Sequence, residues 1–148
     1  MFSENYIEYV KKTANPAYTI EMAACALLEE WVELDVEIYK QDHNKQVDEV
    51  SDVCYQFVLF VYLTGIDINE LKWVDTDNRF LDSVLSITSQ YKKLITRGKQ
   101  LDLILIKDKL NILYSHVMDI ITAINCTVKE VEEYNIQKLD RRYKNVNA

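Results

Sequence analysis

Apolar side chains recur every three or four positions along most of the chain, which is the period of an α-helix. One stripe predicts a helix over about 17–41; its members are Ile20, Ala23, Ala24, Leu27, Trp31, Leu34 and Ile38. Residues 53–63 are apolar on nearly every side, which predicts a buried helix over about 45–64 that ends at Gly65. Because only a short turn separates these two helices, we expect them to pack antiparallel.

The same pattern predicts further helices over about 3–12, 66–74, 79–96, 101–124 and 127–143, with Ser3 as the first N-cap. Two glycines and one proline leave little material for turns or strand edges. The fold class predicted for residues 1–148 is therefore all-α: a single-domain helical bundle with a four-helix core and additional short helices.

Composition narrows the functional classes. A hydrophobic fraction of 49% and a charged fraction of 28% are typical of a globular protein. The net charge of −7 argues against a duplex nucleic-acid surface, although a metal ion could still bring an anionic nucleotide to an acidic site. No segment resembles a signal peptide or a membrane span. Three scattered cysteines predict reduced core thiols, so we expect a cytoplasmic protein with no membrane partner.

Acidic residues at i,i+3 spacing occur on both predicted central helices. Glu30 and Glu33 border the apolar stripe of the first, and Glu49 and Asp52 project from the second, with Gln56 one turn further on. Carboxylates brought together in a packed bundle lose water and repel one another, so they need a cation. Mg²⁺ prefers oxygen ligands and leaves room for phosphates. The alternatives are a solvated flank and first-turn acids that favour the helix dipole.

Together with a later turn, these acidic motifs resemble the pattern of a known protein family. The pattern Glu29-Glu30-x-x-Glu33, then Glu49-x-x-Asp52, then Gly65-Ile66-Asp67 resembles the MazG-like family of all-α nucleoside triphosphate pyrophosphohydrolases. The resemblance covers roughly residues 5–80, of which 16–80 corresponds to a catalytic half. It implies that one to two Mg²⁺ ions, for which Mn²⁺ can substitute, bind Glu30, Glu33, Glu49 and Asp52.

The resemblance also implies roles for other residues. Glu29 or Glu33 would accept a proton from the attacking water as the general base. The remaining candidates would contact the nucleoside triphosphate: Lys72, Arg79, Lys138 and Arg142 at the phosphates, and Tyr9 and Asn15 near the base. Surface salt bridging is the alternative role for the four basic residues.

The family's basic stretch, K-x-x-K-N-x-x-R, is only partly matched. Lys72 and Arg79 occupy its first and last positions, while Asp75 and Thr76 replace its middle pair. A second partial copy has Lys138 and Arg142 in place, with departures at Asn135 and Leu139. The two copies predict a degenerate second repeat over 81–143; the alternative is the general likeness of any two helical hairpins.

The function expected from the resemblance is Mg²⁺-dependent conversion of a (d)NTP to a (d)NMP and pyrophosphate. A base-specific dUTP or dCTP pyrophosphatase of the same superfamily is one alternative. A catalytically inactive helical interaction module is the other. The resemblance further implies a homodimer or higher homo-oligomer.

Overall fold

The computed structural model describes the backbone of residues 1–147 and the side chains of residues 1–36 and 38–143. The described backbone is helical throughout its regular parts, which confirms the all-α class. Two short 3₁₀ segments, Ile38–Lys40 and Ile68–Glu70, accompany six α-helices: α1 (Glu4–Thr13), α2 (Ile20–Glu37), α3 (His43–Thr64), α4 (Phe80–Arg97), α5 (Leu103–Ala123) and α6 (Val128–Asn147).

Local chemistry sets the helix ends. Ser3 Oγ accepts a hydrogen bond from the backbone N–H of Tyr6, which confirms the predicted N-cap of α1. Asp42 caps α3 in the same way by accepting from Lys45 N–H at 2.9 Å. Gly65 ends α3 at a φ of 79°, a left-handed conformation that side chains with a Cβ rarely adopt.

Helix α3 lies at the centre and packs against α1, α2, α5 and α6, while α4 packs against α2 and α5. Its run over 57–61 is buried on all sides, as the sequence pattern predicts. Buried side chains from all six α-helices form one connected core. None of the described helices is long and apolar enough to cross a membrane.

The prediction of a helix over 66–74 is wrong. Only Ile68–Glu70 is helical, and residues 71–79 form an irregular strap along α5. Polar side chains of α5 take up the hydrogen-bonding groups of this strap. Lys72 N–H donates to Asn111 Oδ1 at 2.8 Å, and Val74 N–H donates to Ser115 Oγ at 2.7 Å. These side-chain acceptors replace the carbonyl acceptors that a helix would have supplied.

The expectation of three core thiols holds only for Cys54, which is fully buried. Cys126 is half-buried, and Cys25 is exposed because it lies on the face of α2 that points away from the core. All three cysteines are free thiols.

Candidate functional site

Acidic side chains from α2 and α3 come together beside α6. Glu30 borders the buried stripe of α2 and is half-buried. Burial raises the pKa of its carboxyl group from 4.5 to about 7, with further contributions from the negative charges of Asp52 and Glu33. The i,i+3 pattern on the two helices therefore does bring Glu30, Glu33 and Asp52 within electrostatic reach of one another.

Lys138 of α6 supplies the positive charge for this cluster. Its Nζ donates to Asp48 Oδ1 at 2.6 Å and to Asp52 Oδ1 at 2.8 Å, and the lysine side chain is only 12% exposed. Burial alone would lower the pKa of Lys138, but its two carboxylate partners outweigh burial and raise it. Burial raises the pKa of Asp52, and Lys138 offsets that effect only in part. The ammonium group thus acts as an internal counter-ion.

A cavity of about 260 Å³ adjoins the cluster. Its lining comes from α2, α3 and α6: Glu30, Asp52, Tyr55, Gln56, Asn135, Leu139, Arg142 and Tyr143. It is therefore bounded by two carboxylates, a guanidinium group, two amides and two phenol rings.

Two amide groups of this cavity have unused hydrogen-bonding atoms. Asn135 is 1% exposed, and its Oδ1 accepts from the Tyr6 hydroxyl at 2.9 Å. Its Nδ2 is buried and, like Gln56 Oε1, has no hydrogen-bond partner within the described part of the chain. An unsatisfied buried polar atom costs about 1–3 kcal/mol. Both residues line the cavity, while the two unpartnered atoms are themselves buried.

The other predicted acidic residues lie nearby on the same helices. Glu29 and Glu33 are exposed on α2, and Glu49 is half-buried on α3, one turn before Asp52. Arg142 is exposed at the cavity, where its positive charge, like that of Lys138, offsets part of the rise in the pKa of Asp52 that burial causes. Lys138 and Arg142 are thus the predicted basic residues that the structure places beside the carboxylates.

The remaining predicted residues have local partners elsewhere. The Tyr9 hydroxyl donates to Asp140 Oδ1 at 2.8 Å and ties α1 to α6. Asn15 Oδ1 accepts from Ala17 N–H in the turn before α2. Lys72 and Arg79 lie exposed on the strap, where Arg79 donates two hydrogen bonds of 3.0 Å to Asp82.

An aromatic group holds α2 against α4 next to the cluster. Trp31 stacks on Phe80 with ring centroids 4.1 Å apart, and His116 approaches both rings edge-on. Trp31 belongs to the apolar stripe from which the sequence predicts α2. Trp31 and His116 are both half-buried, and His116 also hydrogen-bonds to the Asn78 carbonyl oxygen at the end of the strap.

Sequence reasoning missed Asp48 and Asn135 as members of the site. The sequence explains Asp48 as a first-turn acid of a helix beginning at about residue 45, but α3 begins at His43 and has no acid in its first turn. Only the tertiary pairing with Lys138 shows the role of Asp48. The sequence contains one indication that Asn135 is unusual. Asn135 follows buried Val131 by four residues, so a polar side chain occupies the apolar stripe of α6.

The cluster is an ion-pair network in this conformation. Among the described residues, no three His, Cys, Asp or Glu side chains converge as a ready-made metal cage. Comparisons with protein-family models, with curated proteins and with solved structures found no match. The MazG-like resemblance therefore rests on the sequence motifs.

Proposed function

We propose that the protein is a Mg²⁺-dependent nucleotide pyrophosphohydrolase that converts a (d)NTP to a (d)NMP and pyrophosphate. The observation that carries the proposal is the raised pKa of Glu30, about 7, inside a cluster with Asp52 and Lys138. Strongly perturbed carboxyl groups beside a cavity are typical of functional sites. Burying a carboxylate without a ligand or counter-ion to compensate for its lost hydration destabilises the folded state.

The donor set fits Mg²⁺. Every proposed ligand is a carboxylate, Glu30, Glu33, Glu49 and Asp52, and such oxygen ligands are those that Mg²⁺ prefers. Of these four carboxylates, Asp52 pairs with the ammonium group of Lys138, which also pairs with Asp48. When bound, Mg²⁺ would supply charge neutralisation of the triphosphate and activation of the attacking water. Binding requires the carboxylates to exchange their ammonium partner for the metal.

The chain's basic residues would then act on the substrate. Lys138 pairs with Asp52, and Arg142 lines the cavity beside the same carboxylate. Once Lys138 is released from Asp48 and Asp52, both residues would hold phosphate oxygens. Glu29 and Glu33 are exposed on α2, and either would accept the proton of the attacking water.

A narrower version of this activity is a base-specific dUTP or dCTP pyrophosphatase of the same superfamily, which the sequence resemblance also implies as an alternative.

Pyrophosphate release from a panel of ribo- and deoxynucleoside triphosphates tests both versions. We expect Mg²⁺-dependent release that EDTA abolishes and Mn²⁺ supports. The narrower version further predicts the highest kcat/KM for dUTP or dCTP. A preference for purines would contradict the pyrimidine version alone. Absence of release from every nucleotide would leave the inactive interaction module as the better account.

A further inference from the structure

Helix α2 has a second apolar stripe, on the side opposite the core. Met22, Val32, Val36 and the following Tyr39 are 47–82% exposed. By the helical period of about 3.6 residues per turn, Val36 lies opposite the buried Leu34 and Leu27. We call the four exposed residues the α2 face. A row of exposed apolar side chains on one helix marks an interaction surface.

The surroundings of the α2 face are negative. Helix α2 contains six acidic residues and no Lys or Arg. Glu21 and Glu33 are exposed along the two sides of the stripe, and Glu29 is exposed within it, between Val36 and Met22. A partner for this surface must therefore combine apolar side chains with positive charge.

The turn between α4 and α5 has this combination. Leu94, Ile95, Leu103 and Ile104 are 40–78% exposed, and we call them the hairpin tip. The segment 92–104 contains four basic residues and one acidic residue, and Lys92, Arg97 and Lys99 among the basic ones are exposed. The acidic residue, Asp102, is used as the N-cap of α5. The tip is thus apolar and positive where the α2 face is apolar and negative.

The two surfaces of one chain are far apart. The first residue of α4, Phe80, stacks on Trp31 in the middle of α2, and the helix runs on from there to Arg97. At 1.5 Å per residue the far end of α4 lies about 25 Å from that contact. The tip therefore cannot cover Val32 or Val36 of its own chain.

We propose that a second copy of this chain covers the α2 face: the hairpin tip of each copy docks on the α2 face of the other. Pairing of two α2 faces, or of two tips, would place like charges opposite each other. Tip-to-face pairing joins opposite charges and buries apolar side chains on both sides. Two copies related by a two-fold axis make the contact twice and leave neither surface open.

Sedimentation of the full chain tests this without metal or nucleotide, so its outcome is independent of the proposed activity. We expect a dimer for the wild type. Val36→Asp and Ile95→Asp, which put a charge into either surface, should each raise the dissociation constant by roughly tenfold or more. Leu85→Asp is the matched control: Leu85 is 52% exposed on α4 outside both surfaces, and its replacement should leave the dimer intact.

A mixing experiment distinguishes tip-to-face pairing from other dimers. Val36→Asp keeps its tip and Ile95→Asp keeps its α2 face, so an equimolar mixture should form a mixed dimer more tightly than either variant alone. Circular dichroism must show both variants folded. A monomeric wild type, a dimer that only one variant weakens, or a mixture that stays monomeric would each overturn the proposal.

Discussion

Replacement of Glu30 by Gln is expected to make the protein more stable at pH 8 and to remove most of its turnover. The stability gain follows from the pKa of Glu30, which burial and Asp52 raise to about 7 in the folded chain from an ordinary 4.5. Between these values the folded state binds more protons than the unfolded state, so the wild type loses stability as the pH rises. Glutamine is neutral throughout and avoids this loss.

The size of the Glu30→Gln effect follows from the shift after an allowance for solvent screening, because Glu30 is only half-buried. We expect the variant to gain about 1–2 kcal/mol of unfolding free energy at pH 8. The gain should disappear below about pH 4.5, where both states of the wild type are protonated. Turnover should fall roughly 100-fold or more, because a charge that is needed in the transition state is lost.

Denaturant unfolding at pH 4.5, 6 and 8, together with pyrophosphate release, measures both effects. Asp35→Asn is the control, since it removes an exposed carboxylate from the same helix. That variant should show neither effect. A Glu30→Gln protein that is less stable at pH 8, or that keeps its turnover, would show that the cluster does not trade stability for activity.

Replacement of Lys138 by Met should destabilise the metal-free protein by about 1–3 kcal/mol, because Asp48 and Asp52 would lose their shared counter-ion. Methionine keeps the length and apolar stem of the side chain, so packing should change little. If Mg²⁺ takes the place of the ammonium group, its addition should raise the melting midpoint of Lys138→Met more than that of the wild type.

Thermal melting of both proteins with and without Mg²⁺ measures this difference. Lys138→Arg, which keeps the charge, should remain close to the wild type. An equal response of Lys138→Met and the wild type to Mg²⁺ would mean that the ammonium group and the metal do not share a position.

The fold was predictable where periodicity decides it. The stripe of α2 and the apolar run of α3 identify two helices that must pack together. The same helical period places the carboxylates of Glu30 and Asp52 beside these apolar positions. The 71–79 strap was not predictable, because side chains of α5 that lie far along the sequence supply its hydrogen-bond acceptors. A local pattern contains no information on such acceptors.

The candidate site was likewise predictable only in its local part. The carboxylates of α2 and α3 belong to a local motif, whereas the ion pairs of Lys138 join α6 to residues more than eighty positions earlier. The Nδ2 atom of Asn135 lacks a partner because of how the neighbouring side chains pack and pair, while its Oδ1 is taken by Tyr6. Both features are properties of the packed bundle.

The central claim is that the carboxylates of α2 and α3 bind a divalent cation. Titration with Mn²⁺, followed by the electron paramagnetic resonance signal of the free aqua ion, tests it without any nucleotide. The account predicts saturable binding by the wild type that Mg²⁺ competes away and that Glu49→Gln abolishes. Mn²⁺ that stays free in the presence of the wild type, or that binds Glu49→Gln equally well, would contradict it.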